Sequence, residues 1–287
     1  MCALKIFNPT TSSQRGLVLV NKKDIWREGP MKSLSFGVNK TGGRNSLGRL
    51  TAKYIGGGHR KVLRIVDFIR RSMADVSALV KRIEYDPHRT SYIALIEYEV
   101  DTLSDSDVRK KSRFAYILAP AGISIGDRII SSVDNSVSIS PGNSMPIYRV
   151  PIGLHVHNVE LKVGKGGQIA RAAGSFAVVV ANEGDFVMIK LSSGESKMIQ
   201  KDCMVTIGVL SNSDNKNTYL SKAGRKRWMG IRPRVRAVAM NPVDHPLGGG
   251  EGKSSGGRHP CSRSGLRKGT KTRSSKKPKL NKLLKRG

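Results

Sequence analysis

Lys222-Ala-Gly-Arg-Lys-Arg-Trp-Met-Gly-Ile-Arg-Pro-Arg-Val-Arg236, running on into Ala239-Met-Asn-Pro-Val-Asp-His-Pro-Leu-Gly-Gly-Gly-Glu-Gly-Lys253, has no apolar residue recurring every 3.6 or every 2 positions. Its first part holds seven Arg/Lys and a single Trp. Such a stretch cannot make a core of its own. Arg forks bind phosphate through paired hydrogen bonds, and a lone indole can stack on a base. Glycine lets the backbone itself approach a partner. The chemistry is that of a segment that becomes ordered by being embedded in nucleic acid.

Charge is unevenly spread along the chain. Residues 1–61 carry 12 Lys/Arg against 2 acids and residues 222–287 carry 20 against 2, while the 160 residues between them carry 19 against 17. Basic ends on a nearly neutral body are the footprint of a polyanion binder; a merely soluble basic protein would spread its charge. Three cysteines, Cys2, Cys203 and Cys261, lack C-x-x-C spacing. They support neither a disulfide framework nor a zinc site, and they suit a reducing compartment. No apolar run reaches the ~18 residues of a membrane span. The first acid is Asp24, which fits an organellar leader, but Arg is sparse and Asn8-Pro9 would interrupt its amphipathic helix.

The body between the ends reads as short strands. Residues 17–20 form a short strand and Trp26 an anchor; residues 37–61 are glycine with interspersed cations and suit an extended arm. Strands follow at 62–68, 75–85, 91–100 and 114–118, with Asp86-Pro87-His88-Arg89 as a turn. In 91–100, Tyr92, Ala94, Ile96, Tyr98 and Val100 share one face and Glu97 and Glu99 the other, the pattern of a half-buried strand. Residues 101–113 are a polar loop or hairpin tip. A second set lies at 127–133, 156–163, 175–181, 186–191, 197–200 and 205–210, split by turn clusters such as Asn182-Glu-Gly-Asp185. Many short strands without a long helical pattern predict a mainly β chain of two small antiparallel barrels. After Lys222 only 9 of 66 residues are Leu, Ile, Val or Phe, too few for a packed domain, and residues 262–287 are expected to be disordered when free.

Several catalytic patterns fail on context. Gly122-Ile-Ser124-Ile-Gly126 matches a nucleophile elbow, but a strand rather than a helix is expected after it, so it reads as a turn. Gly250-Glu-Gly-Lys253-Ser254 resembles the end of a P-loop, yet Leu247 stands where the first Gly is required and no strand precedes it. His155 and His157 share a strand face without a third metal ligand nearby in sequence. Gly164-Lys165-Gly-Gly-Gln168 with Arg171 is a cationic glycine loop suited to phosphate. No strand carries the paired aromatics of an RRM.

The wording of the opening stretch, with Thr41-Gly-Gly-Arg-Asn45, Ile55-Gly-Gly-Gly-His-Arg60, Ile83-Glu-Tyr-Asp-Pro87, Tyr116-Ile-Leu-Ala-Pro120 and Val156-His-Asn-Val-Glu-Leu-Lys-Val-Gly-Lys-Gly-Gly-Gln168, resembles the universal second-protein family of the large ribosomal subunit, bacterial or organellar type. The matches run in order over nearly the whole chain. Two departures stand out: Leu247 replaces the family's usual His, and residues 101–113 are longer than its usual turn.

The resemblance implies an oligonucleotide-binding-type barrel at 62–126 and an SH3-like barrel at 127–221, between basic extensions at 1–61 and 222–287. It implies a non-enzymatic, structural protein that binds large-subunit rRNA near the peptidyl transferase centre and supports assembly, subunit association and tRNA positioning. Its partners would be that rRNA, neighbouring ribosomal proteins, the small subunit at the interface and nearby tRNA, with no membrane. Its place would be a bacterial-type cytoplasmic ribosome, the alternative being a mitochondrial or other organellar one. No specific cofactor follows, beyond Mg2+ associated with the rRNA.

Residue by residue, the expected RNA contacts are Gly42, Gly43, Arg44, Arg49, Lys53, His59, Arg60, Lys61 and Arg64 near the N-terminus, Lys165 and Arg171 in the body, and Lys222, Arg225, Lys226, Arg227, Trp228, Arg232, Arg234, Arg236, Asn241, Asp244, His245, Gly248, Gly249 and Lys253 near the C-terminus. The competing readings are a non-ribosomal nucleic-acid binder that folds when free, and a serine hydrolase at Ser124.

Overall fold

The structure is a computed structural model that describes residues 4–71, 73–99, 114–134, 137–270 and 283–284. It is mainly β, and one of its sheets curls as a half-barrel. The chain separates into two compact units. The first is Met1–Asn39, Arg60–Ser221 and Asn281–Gly287; the second is Lys40–His59 with Lys222–Leu280.

In the first unit the strands are β1 (Leu4–Ile6), β2 (Val18–Val20), β3 (Ser35–Gly37), β4 (Val62–Arg64), β5 (Ala78–Glu84), β6 (Ile93–Tyr98), β7 (Phe114–Leu118) and β8 (Arg128–Ile129). They continue with β9 (Ser144–Pro146), β10 (His155–His157), β11 (Val159–Glu160), β12 (Gly167–Ile169), β13 (Ala177–Glu183), β14 (Phe186–Leu191), β15 (Ser196–Gln200), β16 (Met204–Ile207) and β17 (Leu283–Leu284). One sheet has the order β7-β6-β5-β8 and a larger one β17-β15-β14-β13-β10-β16-β9. All pairings in both sheets are antiparallel. Pairs β1-β2, β3-β4 and β11-β12 stand as separate ribbons.

β6 departs from its alternation pattern. Ala94, Ile96 and Tyr98 enter one apolar cluster with Val80 and Ile117, as expected. Its other face is also buried: Ile93 and Leu95 pack with Tyr116 under Met31, Leu34, Val66 and Phe114. The covering side chains come from remote parts of the chain, so local periodicity could not announce them. A buried carboxylate ties this cover down. Glu84 accepts from the Tyr116 hydroxyl at 2.9 Å and from Arg82 Nε at 2.6 Å, and the Tyr116 oxygen in turn accepts from Met31 N–H at 2.8 Å.

The larger sheet packs over Val156, Val179, Val187, Ile189, Ile199 and Val205. The expected strand at 156–163 breaks at Asn158, whose φ is +51°, and re-forms as the β11-β12 ribbon. Expected strands at 62–68 and 127–133 shrink to three and two residues. The turn at Asp86 behaves as its chemistry demands: the carboxylate accepts from His88 N–H at 2.8 Å and Arg89 Nε at 2.6 Å. The expected loop at 101–113 lies outside the described residues, as does most of the tail expected to be disordered.

Ser124 sits in an exposed turn that β8 follows, with its N–H donated to Asp127 at 2.7 Å. That is a strand-to-strand turn, and the hydrolase geometry is absent there. The two histidines of β10 part company. His155 is exposed with its ring edge-on to Phe176, whereas His157 is fully buried with Nδ1 2.8 Å from Gly208 O. Burial pushes the His157 pKa down to about 4, which keeps its ring neutral. Among the described residues no group of three His, Cys, Asp or Glu could hold a metal ion.

Candidate nucleic-acid interface

The second unit is built from backbone rather than from a core. Among its described residues only Gly43, His245 and Cys261 are buried. It carries 21 Lys/Arg against two acids, Asp244 and Glu251. Its two segments, far apart in sequence, lie antiparallel: Gly56 N–H donates to Gly230 O at 2.7 Å, His59 to Trp228 O at 2.8 Å, and Arg232 to Tyr54 O at 2.9 Å. Gly58 has φ +59°, and a Cβ there would stand 2.8 Å from Gly230 Cα, so only glycine permits this approach.

Upstream, Gly43 O accepts from Thr51 N–H at 2.9 Å and Ala52 N–H at 3.0 Å. The Asn45 side chain holds the intervening turn by accepting from Leu47 and Arg49 N–H. This turn presents Arg44 and Arg49 to solvent, with Gly42 at its base and Lys53 half-buried beyond it.

The opening stretch of the sequence forms one short helix, α1 (Ala223–Trp228), which the absence of an apolar period did not predict. Its end is closed by Gly230 N–H to Arg227 O at 3.0 Å and Ile231 N–H to Lys226 O at 3.0 Å, with Gly230 at φ +93°. This paired motif satisfies the last carbonyls, and Arg225, Lys226 and Arg227 complement the negative end of the helix. Trp228 is 57% exposed, with Lys222 Nζ 5.0 Å and the Arg225 guanidinium 5.8 Å from its ring. Beyond it Arg232, Arg234 and Arg236 are all exposed, Arg234 lying over the Tyr54 ring at 5.1 Å.

The loop that follows folds on itself. Asn241 O accepts from Asp244 N–H at 3.0 Å and His245 N–H at 3.3 Å, and Gly249 N–H returns to Met240 O at 2.9 Å. A Cβ on Gly248 would lie 2.5 Å from two carbonyl oxygens, which forbids any other residue. His245 is 8% exposed, and its Nδ1 accepts from Leu247 N–H at 3.1 Å. The nitrogen lone pair a general base would use is therefore engaged in holding the loop. Ser254 Oγ donates to Gly249 O at 2.9 Å, so Lys253 projects from a closed turn and not from a strand-to-helix phosphate loop.

The remaining expected contacts lie in the first unit. Arg60 is exposed, Lys61 is half-buried, and Arg64 on β4 turns its guanidinium back to Val62 O. Lys165 is at the tip of the β11-β12 ribbon. Arg171 lies 4.6 Å from the Phe68 ring, and Arg89 lies 5.5 Å from the same ring.

Sequence reasoning missed what fixes the Lys165 loop. Glu160 is fully buried, and its carboxylate accepts from Gly166 N–H at 2.9 Å, Met204 N–H at 3.0 Å and Gly164 N–H at 3.3 Å. An acid between Val159 and Leu161, four residues before a Gly-x-Gly turn, was the available signal. The same carboxylate, after burial itself, pushes the neighbouring Cys203 thiol up to about 11, which leaves it inert. Arg70, buried at φ +55° and donating to Gly142 O at 2.5 Å, was missed as well.

This architecture meets known families along its length. Residues 31–131 match the model for Ribosomal Proteins L2, RNA binding N-terminal domain, and residues 140–265 match Ribosomal Proteins L2, C-terminal domain. The chain belongs to the ribosomal protein L2 family. It is similar to the large ribosomal subunit protein uL2 of Rickettsia canadensis (strain McKiel) and of Rickettsia rickettsii (strain Sheila Smith), 54% identical to each over 276 residues, 96% of both chains. The corresponding protein of Rickettsia massiliae (strain Mtu5) is 53% identical over the same span. L2 proteins are structural, non-catalytic, RNA-binding components of the large ribosomal subunit in translation, with rRNA and ribosomal proteins as partners. No helix among the described residues is long and apolar enough to cross a membrane.

Proposed function

We propose that the second unit is a surface by which this L2 chain holds large-subunit rRNA, and that Arg60, Lys61, Arg64, Lys165 and Arg171 of the first unit make contacts of their own. The carrying observation is a fold of backbone hydrogen bonds and glycine contacts with 21 cations and almost nothing buried. Side chains cannot read the deep major groove of an RNA helix, so such recognition runs through phosphates, 2′-hydroxyls and splayed bases. Arg44, Arg49, Lys53, Arg60, Lys61, Arg64, Lys222, Lys226, Arg227, Arg232, Arg234, Arg236 and Lys253 serve phosphates. Gly42, Gly43, Gly248 and Gly249 permit close approach, Trp228 stacks, and Asn241, Asp244, His59 and His245 shape the loops. Arg225 braces the Trp228 ring.

The finer architecture belongs to the same proposal. It comprises an oligonucleotide-binding-type barrel at 62–126, an SH3-like barrel at 127–221, and basic extensions at 1–61 and 222–287 that enter the rRNA. The site is near the peptidyl transferase centre, where the protein supports assembly, subunit joining and tRNA positioning in a bacterial-type cytoplasmic ribosome. The bacterial relatives favour that setting over an organellar one.

Arg232→Gln/Arg234→Gln/Arg236→Gln tests the reading. Each lost phosphate contact lowers the slope of log affinity against log salt by about 0.7–0.9. An unchanged slope for large-subunit rRNA in the triple variant would refute the assignment.

A further inference from the structure

A groove on the first unit contains none of the residues named above as individual RNA contacts, although most of its lining falls in the basic extension at 1–61. It has a volume of about 820 Å³ and is lined by β1, β2 and the segment after them, with Tyr85 from beyond β5. That volume lies within the range of roughly 300–1,000 Å³ usual for small-ligand sites. Four cations, Lys5, Lys22, Lys23 and Arg27, line it, and no acid does. Its aromatic residues are Phe7, Trp26 and Tyr85, in a chain with only two Trp and six Phe. Trp26 is 39% exposed and Tyr85 43% exposed, although Trp26 is anchored through its N–H to Ile83 O at 2.9 Å and its indole N–H to Gly29 O at 3.1 Å. A buried anchor would have hidden its ring; this one is pinned and left showing.

The cations are ordered around the rings. Lys22 Nζ is 3.4 Å from the Tyr85 centroid, Lys5 Nζ is 5.0 Å from that of Phe7, and the Arg82 guanidinium is 4.7 Å from that of Trp26. Charge held beside exposed π-faces suits a ligand with both a flat base and a phosphate. A base paired within a helix offers no such face, whereas an unpaired one does. All the lining residues except Tyr85 precede residue 31, where the match to the RNA-binding N-terminal domain begins.

We propose that this groove binds an unpaired RNA nucleotide, its base stacked against the aromatic wall of Trp26 and Tyr85 and its phosphates held by Lys5, Lys22, Lys23 and Arg27. The inference rests on the rRNA-binding reading but names a second, chemically different contact: stacking on a single-stranded nucleotide, where the second unit works mainly through phosphates.

The test uses the full chain, a single-stranded octaribonucleotide containing 4-thiouridine, and an RNA duplex carrying the same label. Both are photo-crosslinked and the adducts mapped to peptides. The expected result is an adduct on Trp26 or Tyr85 with the single strand and none there with the duplex. Trp26→Ala lowers the affinity read from the Tyr85 adduct roughly 5- to 150-fold, the range for one lost base stack, and Trp26→Phe restores most of it. Lys5→Gln/Lys22→Gln, which removes two exposed charges and their contacts with the Phe7 and Tyr85 rings but no buried side chain, weakens the same adduct in a salt-dependent way and guards against a Trp26→Ala variant that fails to fold. Adducts confined to the second unit, at Trp228 for example, would overturn this inference while leaving the rRNA reading intact. Absence of any adduct, together with no binding to large-subunit rRNA, would overturn both. Groove residues protected in assembled particles by a neighbouring protein, without a nucleotide adduct, would assign the groove to a protein partner and overturn the proposal.

Discussion

The two units of this chain reach order by different physical routes. In the first, Ile96, Ile117, Val156, Val187 and Ile189 are almost completely removed from water, and the hydrophobic effect pays for their order. In the second, the exposed Val235, Val243, Ile231 and Leu266 keep roughly half or more of their surface, and order is written in hydrogen bonds between glycine-rich backbones. Backbone hydrogen bonds open to solvent contribute little net stability, since water competes for both partners. The first unit thus carries a core of its own, and on the function proposed above the second would be completed by a polyanion that neutralises its charge and shields its backbone.

The largest expected effect is the sharpest contrast. Ile189→Ala should destabilise the first unit by roughly 2–5 kcal/mol in denaturant unfolding, since it opens a cavity at a fully buried site. Leu266→Ala in the second unit should change that transition by under ~0.5 kcal/mol, because Leu266 is 68% exposed. Comparable losses would erase the distinction.

The next effect sharpens it through pH. His157 has a folded pKa lowered to about 4 against an ordinary 6.5, chiefly by burial. As pH falls through that window the unfolded chain takes up a proton that the folded chain refuses, so stability is lost on acidification and is fully present above pH 6.5. The shift corresponds to roughly 3 kcal/mol by pH 4. His157→Gln should flatten the first unit's stability profile between pH 6.5 and 4, measured by denaturant titration at each pH. An unaltered profile would place the acid sensitivity elsewhere.

Glu160→Gln comes third. It keeps the volume but weakens acceptance from Gly164, Gly166 and Met204, at a cost of about 1–3 kcal/mol. It should also loosen the Lys165 loop and so depress rRNA affinity. A stability loss without any change in affinity would make Glu160 a core residue only.

The smallest effect concerns His245. Since its Nδ1 is occupied by Leu247 N–H, His245→Gln should assemble into particles and retain most of their peptide-transfer rate, while His245→Ala should cost assembly. A loss of 10²-fold or more in fully assembled His245→Gln particles, the scale of a general base, would reverse that assignment.

What the sequence showed followed from how many periods each element spans. β7 and β14 fall where residues 114–118 and 186–191 were expected, because five or six residues with β-formers between turn signals leave little choice. β1, β3, β9 and β12 are three residues each, too short for alternation to register. The second buried face of β6 depends on Met31, Leu34 and Val66, which only folding brings there. The basic stretch was legible as chemistry but not as geometry. Nothing local says that Gly56 meets Gly230, although cations followed by Gly230 could have announced the end of α1.

Hydrogen exchange at the amides of Gly56, His59 and Arg232, followed in the free chain and in the rRNA-bound chain, decides whether the second unit orders itself or is ordered by RNA. These three N–H groups join the two segments of the second unit. Rapid exchange is expected in the free chain, alongside strong protection of β6 and β14 in the first unit, with a large gain in protection of the three amides on binding rRNA. Protection of Gly56, His59 and Arg232 in the free chain as strong as that of β6 would show instead that the second unit holds itself together without RNA.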